Sequence, residues 1–183
     1  LHSVGLATRT LHVWARRPES AQRLSDHATG LGWKASICRS PRELAQSCDV
    51  IFTCTPSRAP ILLASHVAAR PATAPGLHIC ALGSDQEGKQ ELEPAILGMA
   101  SLVAPDSVGQ CFSYGECCHA KRLGLLDESS GKVVPLGRLL SSSHAHLQRG
   151  SGPDDRRLTI ADSTGVGASD WCIAEAAYRA LVP

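Results

Sequence analysis

Short runs of consecutive apolar residues alternate along the chain with stretches in which apolar residues recur every three or four positions. This pattern predicts strands and helices in alternation. Residues 10–15 (TLHVWA) read as a first strand. Pro18 then sits where a helix begins, and Ala21, Leu24 and Ala28 follow at helical spacing until Gly30-Leu31-Gly32 ends it. Residues 34–38 predict a second strand. Ser40-Pro41-Arg42-Glu43 has the form of a capping box with Pro at the first helical position, opening a brief helix that ends near Ser47-Cys48. Residues 49–55 (DVIFTCT) are apolar without alternation, as expected for a parallel strand buried on both faces; residues 77–82 (LHICAL) predict another, closed by Gly83. Further on, Glu93-Pro94 opens a helix through Met99, residues 101–104 predict a strand, and residues 107–126 and 136–141 are helical in tendency. Residues 148–157 (QRGSGPDDRR) read as a solvated loop and residues 158–161 as a last strand. A closing helix over 166–181 carries Trp171, Ala174 and Tyr178 along one stripe. Strand and helix in regular alternation imply an α/β fold with a mostly parallel sheet. In such sheets ligands sit at the carboxyl ends of the strands, so the residues after each strand are the ones to interrogate.

Composition narrows the function classes. Hydrophobic residues are 43% of the 183 and charged residues 19%, the balance of a soluble globular domain. Eighteen Lys and Arg against 17 Asp and Glu give +1, which argues against a nucleic-acid-coating surface. No apolar run approaches the roughly 18 residues needed to span a bilayer, so no membrane partner is expected. The eight cysteines include no C-x-x-C pair and several lie in apolar runs, so they read as reduced, mostly buried thiols of a cytoplasmic protein. Cys117-Cys118 beside His119 fits either metal or redox chemistry or, more simply, two neighbours on a helix. The eight histidines form no metal-ligand spacing; His144 and His146 lie in a Ser-rich stretch, and no metal is expected. The chain opens on Leu1 and its only Met is Met99, which reads as a piece of a longer protein.

The strand ends supply the candidate chemistry. No G-x-G-x-x-G follows the first strand; Gly165-Val166-Gly167 lacks the third glycine, since Asp170 stands there. At the end of residues 10–15, however, Ala15 occupies the place of the acid that binds a ribose 2′-hydroxyl in a dinucleotide-binding strand, and Arg16-Arg17 follow, as an Arg does where a 2′-phosphate is bound. A solvated turn before a helix would explain them equally. In Gly83-Ser84-Asp85-Gln86-Glu87-Gly88-Lys89, one acid lies two residues past Gly83 in a loop bracketed by glycines, placed to exchange protons with a ligand or simply to tip a turn. Thr53-Cys54-Thr55-Pro56-Ser57 can hydrogen-bond a ribose or carboxamide, or merely cap its loop. Ser163-Thr164-Gly165 precedes the last helix and can serve an anion site or an N-cap.

Together these stretches resemble the ornithine cyclodeaminase and mu-crystallin family. His78-Ile79-Cys80-Ala81-Leu82-Gly83-Ser84-Asp85 with Gly88-Lys89-Gln90-Glu91-Leu92 is similar to that family's active-site strand and loop. Val13-Trp14-Ala15-Arg16 resembles its cofactor-discriminating strand end, and Thr53 to Ser57 its T-x-T-x-S turn. Leu136-Gly137-Arg138-Leu139-Leu140 resembles its L-G-E-V-L helix, with Arg138 where Glu is usual, and Asp162-Ser163-Thr164-Gly165 its D-S-T-G segment. The resemblance implies a Rossmann-like mostly parallel sheet with helices on both faces. Residues 1–150 would form the NAD(P)-binding domain, lacking its first strand and glycine motif. Residues 151–183 would return towards a substrate and dimerisation domain, and residues 1–8 would be the end of the helix that follows the glycine motif. It implies hydride transfer between a nicotinamide and an amino acid or cyclic imine. Asp85 would be the proton donor or acceptor at the substrate nitrogen. Thr55, Ile79, Cys80, Ala81, Leu82, Lys89 and Ser163 would line the cofactor and Thr164 would touch substrate. Arg16 and Arg17 would favour NADP, with NAD possible. The reaction it favours is reduction of a cyclic ketimine such as pyrroline-2-carboxylate to proline. Ornithine cyclodeamination with recycled NAD is the alternative, and a non-catalytic crystallin-like ligand-binding protein or inactive fragment the second. A homodimer is implied for the full protein.

Overall fold

A computed structural model of the chain describes residues 9–141 and 156–182. The expectations for residues 1–8, for His144 and His146 and for most of the 148–157 loop therefore lie outside the described residues.

The chain opens with β1 (Thr10–Val13), α1 (Pro18–Gly30), β2 (Lys34–Ile37) and α2 (Pro41–Ser47). Pro18 stands at the start of α1 and Pro41 at the start of α2, where the missing N–H costs nothing. The Ser40 hydroxyl accepts the Glu43 N–H at 3.1 Å, while the Glu43 carboxylate reaches back to the Arg39 N–H at 2.7 Å, so the predicted capping box closes one residue early. Next come β3 (Val50–Thr53), β4 (Arg58–Leu62), α3 (Ala64–Ala68) and β5 (Leu77–Ala81). Then follow β6 (Gln90–Leu92), α4 (Pro94–Met99), β7 (Leu102–Pro105), α5 (Val108–Tyr114) and α6 (Glu116–Arg122). The order ends with α7 (Leu136–Ser141), β8 (Leu158–Asp162) and α8 (Gly167–Leu181).

Every paired strand runs parallel. The main sheet has the order β3-β5-β8-β7, and β1-β2 and β4-β6 form two further pairs. The short β4 and β6 and the single-turn α3 carry no apolar period long enough to be read from sequence. Residues 107–126, read as one helical stretch, break at Gly115 into α5 and α6.

One face of the main sheet carries the core. Ile51, Ile79, Ala81, Val103 and Ile160 pack against Ala45 of α2, Val67 of α3, Ile96 and Leu97 of α4, Cys111 and Phe112 of α5, and Cys117 and Ala120 of α6. Burying each large aliphatic side chain here contributes about 1.5–3 kcal/mol. The opposite face is more open: Val50 is 40% and Phe52 47% exposed, so β3 alternates where burial on both faces was expected. Arg70 ties the lower edge of the core. Its guanidinium donates to the carbonyls of Ala45, Cys48 and Pro75 and pairs with Asp49 at 3.1 Å. The stripe on α8 is exposed, and none of that helix's residues is buried. No helix among the described residues is long and apolar enough to cross a membrane.

Candidate active site

Sheet register brings four strand ends into one row. Thr53 pairs with Ala81, Ala81 with Asp162, and Asp162 with Pro105. The residues just past that row are therefore neighbours across the sheet: Thr55, Gly83 to Lys89, Ser163 to Gly165, and Asp106. Ladder bonds continue one step beyond it, from Leu82 N–H to the Thr53 carbonyl at 2.8 Å, from Ser163 N–H to Ala81 at 2.9 Å, and from Asp106 N–H to Asp162 at 3.0 Å.

The loop after β5 is exposed at Asp85 but anchored at both ends. The Ser84 hydroxyl donates to the Lys89 carbonyl at 2.9 Å, and His119 Nε2 donates to the same oxygen at 2.8 Å. Gly88 has φ +78°, a left-handed turn that sends the chain back into β6 instead of into a helix. Lys89 Nζ lies 2.6 Å from Asp85 Oδ1, so this exposed acid at the mouth of the sheet carries its own cation.

The turn after β8 is organised by Asp106, at the end of β7. Its carboxylate accepts from the Ser163 hydroxyl (2.8 Å), the Gly165 N–H (2.9 Å), the Ser107 N–H (2.7 Å) and the Thr164 hydroxyl (3.3 Å). Burial works to raise its pKa, but the donors of Ser163, Cys111, Thr164 and Gly165 outweigh burial and hold it below the usual carboxylate range. Behind these turns lie three fully buried carboxyl groups that the sequence reading left without a role: Glu91, Glu116 and Asp162. Glu91 Oε1 accepts the Thr55 N–H at 2.5 Å and Oε2 the Gly83 N–H at 2.9 Å. Burial, and then the nearby Asp162 and Glu91, push Glu116 up to about 8 against the hydrogen bonds it accepts from the Glu91 and Leu92 amides. Burial likewise raises Asp162. Their signal in sequence was faint: an acid inside an apolar strand or a helix start, with glycines at positions 83 and 115.

Of the expected site residues, Asp85, Lys89, Thr55, Ser163 and Thr164 share this edge. Ile79 and Ala81 point into the core, so only their backbone is available to a ligand there, whereas Cys80 and Leu82 lie on the open face. On that face Cys80 Sγ and His78 Nε2 are 3.2 Å apart, and His78 Nδ1 lies 2.8 Å from the Thr159 hydroxyl. Arg16 and Arg17 follow β1, in the separate two-stranded sheet. Both are exposed; Arg17 pairs loosely with Glu19 at 3.8 Å, and the Arg16 guanidinium makes no hydrogen bond or ion pair among the described residues. At the end of β3, the buried Thr53 hydroxyl has no partner among the described residues. No group of three or more His, Cys, Asp or Glu among them is arranged to hold a metal ion.

Comparison with known proteins gives this geometry relatives. The model of the ornithine cyclodeaminase/mu-crystallin family matches residues 4–182. The iminosuccinate reductase of Paracoccus denitrificans is 37% identical over 163 residues, which is 89% of this chain and 46% of that protein. Its crystal structure in complex with NAD+ superposes with a TM-score of 0.72 at 36% identity, covering 90% of this chain and 46% of that one. An archaeal alanine dehydrogenase dimer with bound NAD gives a TM-score of 0.74 at 30% identity, covering 93% and 48%. The Δ1-pyrroline-2-carboxylate reductase of Paracoccus denitrificans is 30% identical over 173 residues, 92% of this chain and 50% of that protein. The chain spans about half the length of the curated relatives it matches.

Proposed function

Because the chain belongs to the ornithine cyclodeaminase/mu-crystallin family, we propose that it is the dinucleotide-binding and proton-transfer part of an NAD(P)H-dependent reductase of small α-imino acids, with the cyclic ketimine pyrroline-2-carboxylate as substrate and proline as product. The observation that carries the reading is an exposed acid past the end of β5 at the mouth of the sheet: Asp85, held by Lys89 at 2.6 Å, on the strand that β8 and its Ser163–Thr164 turn flank. Iminosuccinate, the substrate named for the 37% relative, is the second reading. It presents the same C=N bond beside a carboxylate but no ring.

One feature of the chain suits a nicotinamide dinucleotide. The exposed Arg16 guanidinium at the end of β1, which makes no hydrogen bond or ion pair among the described residues, offers a planar fork to a 2′-phosphate. When bound, the nicotinamide supplies the hydride that reduces the C=N carbon. The exposed Asp85 carboxylate, after taking up a proton from solvent, delivers it to the nitrogen, so the C=N bond becomes CH–NH. The carboxylate left behind is stabilised by the Lys89 ammonium, which makes the transfer easier as it proceeds. Ser163 and Thr55 line the cofactor and Thr164 orients the substrate, all held by Asp106 and Glu91. Among the described strands β1 pairs with β2 and β3 with β5, and the family's first strand would lie between β1 and β3. Within residues 151–183, α8 with its apolar residues exposed lies against the substrate and dimerisation domain of a homodimer.

The test is turnover of pyrroline-2-carboxylate and of iminosuccinate by the intact protein with NADPH and NADH, followed at the nicotinamide absorbance. Stoichiometric loss of reduced nicotinamide with either imine supports the reading, and the preferred imine names the substrate. Conversion of ornithine to proline with catalytic NAD and no net nicotinamide consumption would replace it by cyclodeamination.

A further inference from the structure

The turn carrying Thr55 and the loop carrying Asp85 leave the sheet from different strands. Past the Leu82–Thr53 ladder bond they are joined at their far ends by the β4–β6 pairing, where the Gln90 N–H donates to the Ser57 carbonyl at 2.9 Å, and at their near ends by one side chain. Glu91 forks between them, Oε1 on the Thr55 N–H at 2.5 Å and Oε2 on the Gly83 N–H at 2.9 Å. Glu91 is itself held from behind. Its own N–H donates to Glu116 Oε1 at 2.6 Å and the Leu92 N–H to Oε2 at 3.2 Å. Glu116 opens α6, and the first amides of that helix, Glu116 N–H and Cys117 N–H, donate to Asp162 at 3.3 and 2.9 Å. Asp162 ends β8, opposite Ala81. Three carboxyl groups thus each clamp two backbone amides, in series from the end of β8 through the start of α6 to the Thr55 and Gly83 amides.

We propose that Glu91 is a positioning residue: it sets the separation and orientation of the Thr55 turn and the Gly83–Lys89 loop, with Glu116 and Asp162 as its backstop. Three observations support this. Both oxygens of Glu91 accept an N–H, a demand that a carboxylate meets and a carboxamide cannot, since its NH2 would face a donor. The glycines are placed by the carboxyl groups. A Cβ on Gly83 would run into the Thr55 carbonyl oxygen and come within 2.5 Å of Glu91 Cδ, and one on Gly115 would come within 2.9 Å of Asp162 Oδ2. Finally, all three acids are fully buried, and none has an ion pair among the described residues. Buried carboxyl groups without a cation are a costly way to hold turns, and well-packed apolar residues would stabilise more cheaply. The arrangement makes sense where amide positions, not stability, are what is needed. That the positioned turns serve hydride and proton transfer rests on the reading above; the fork does not.

The experiment is hydrogen–deuterium exchange at single-amide resolution on the intact protein, with kcat, KM and NADPH titration alongside. In the wild type, the Thr55 and Gly83 amides should be protected although both lie outside any strand. In Glu91→Gln, at least one of them should lose about tenfold or more in protection while Ile79 and Ile160 keep theirs. The kcat for the imine should fall by about tenfold or more, with KM and NADPH affinity changing less. Gly83→Ala, which presses on the same fork without altering charge, should expose the same amides. Fast exchange of both amides in the wild type overturns the proposal even if neither variant folds. So does Glu91→Gln with wild-type exchange at both. If the wild type turns over no imine with either nicotinamide, the functional reading falls while the exchange result still decides the fork.

Discussion

The carboxyl edge of the four-stranded sheet and the carboxyl end of β1 are built in opposite ways. At the first, Asp106, Glu91, Glu116 and Asp162 spend their carboxyl oxygens on backbone amides and hydroxyls, so each turn is held at several points. At the second, Arg16 and Arg17 stand in solvent on a turn with no side-chain clamp, and α1 begins beside them with no side-chain cap bond. The contrast follows from what each end is proposed to do. A proton must be delivered over a distance set to a fraction of an ångström, which needs fixed backbone. A 2′-phosphate can be met by a flexible guanidinium that adjusts on binding. Cofactor preference should therefore be cheap to change by mutation, and the reaction geometry should not.

Asp85→Asn should break the stronger side of this contrast most deeply. It keeps the shape and removes the proton, so turnover of pyrroline-2-carboxylate with NADPH should fall about 10²–10⁴-fold while NADPH affinity stays near wild type. Turnover near the wild-type value would leave Asp85 as a turn residue paired with Lys89. Asp162→Ala should come next, measured as stability. It strands the Glu116 and Cys117 amides in the core, roughly 1–3 kcal/mol each, partly offset because a carboxyl group that burial disfavours is gone. A net loss of about 2–4 kcal/mol in urea melts is expected, against less than about 0.5 kcal/mol for the exposed Arg17→Ala.

The buried acids also make a pH signature that the β1 end lacks. Glu116 is raised from 4.5 to about 8, first by burial and then by Asp162 and Glu91. The folded protein therefore keeps a proton that the unfolded chain releases. Its contribution to stability is full below pH 4.5, declines as the pH rises and is gone above about 8. Asp162, also raised, acts in the same direction. Asp106, lowered by its donors, acts oppositely: its contribution is present above its ordinary value of 3.8 and is lost as the pH falls below it. Melting temperatures across pH 5 to 8 should decline in the wild type and flatten in Glu116→Gln; an unchanged slope would show that Glu116 ionises normally. The smallest effect expected is at the open end. Arg16→Ala should weaken NADPH binding about ten- to a hundredfold, the share of one charge-assisted contact, and leave NADH binding unchanged. Equal NADPH and NADH affinity in the wild type would remove Arg16 from cofactor choice.

Legibility in the sequence followed how local each determinant is. Apolar runs were enough to place β3, β5 and β8, and Pro18 and Pro41 to place the starts of α1 and α2, because burial and proline geometry act on a few consecutive residues. The family resemblance rested on ordered motifs, and the match over residues 4–182 bears it out. The short β4 and β6 escaped because three to five residues show no period, and the break of residues 107–126 at Gly115 escaped because its cause lies 47 residues away in Asp162.

The sequence by itself determined the alternation of strands and helices, the parallel sheet they build, the family and the row of turns where chemistry is expected. Only the tertiary structure decided which of those turns are held and by what. Glu91 and Thr55 are 36 residues apart and Glu116 and Asp162 46, and a carboxylate finds such partners only after the sheet register has aligned Thr53, Ala81, Asp162 and Pro105. Burial then makes those few bonds strong, since once water is excluded an amide has no alternative acceptor and a carboxyl group no alternative donor.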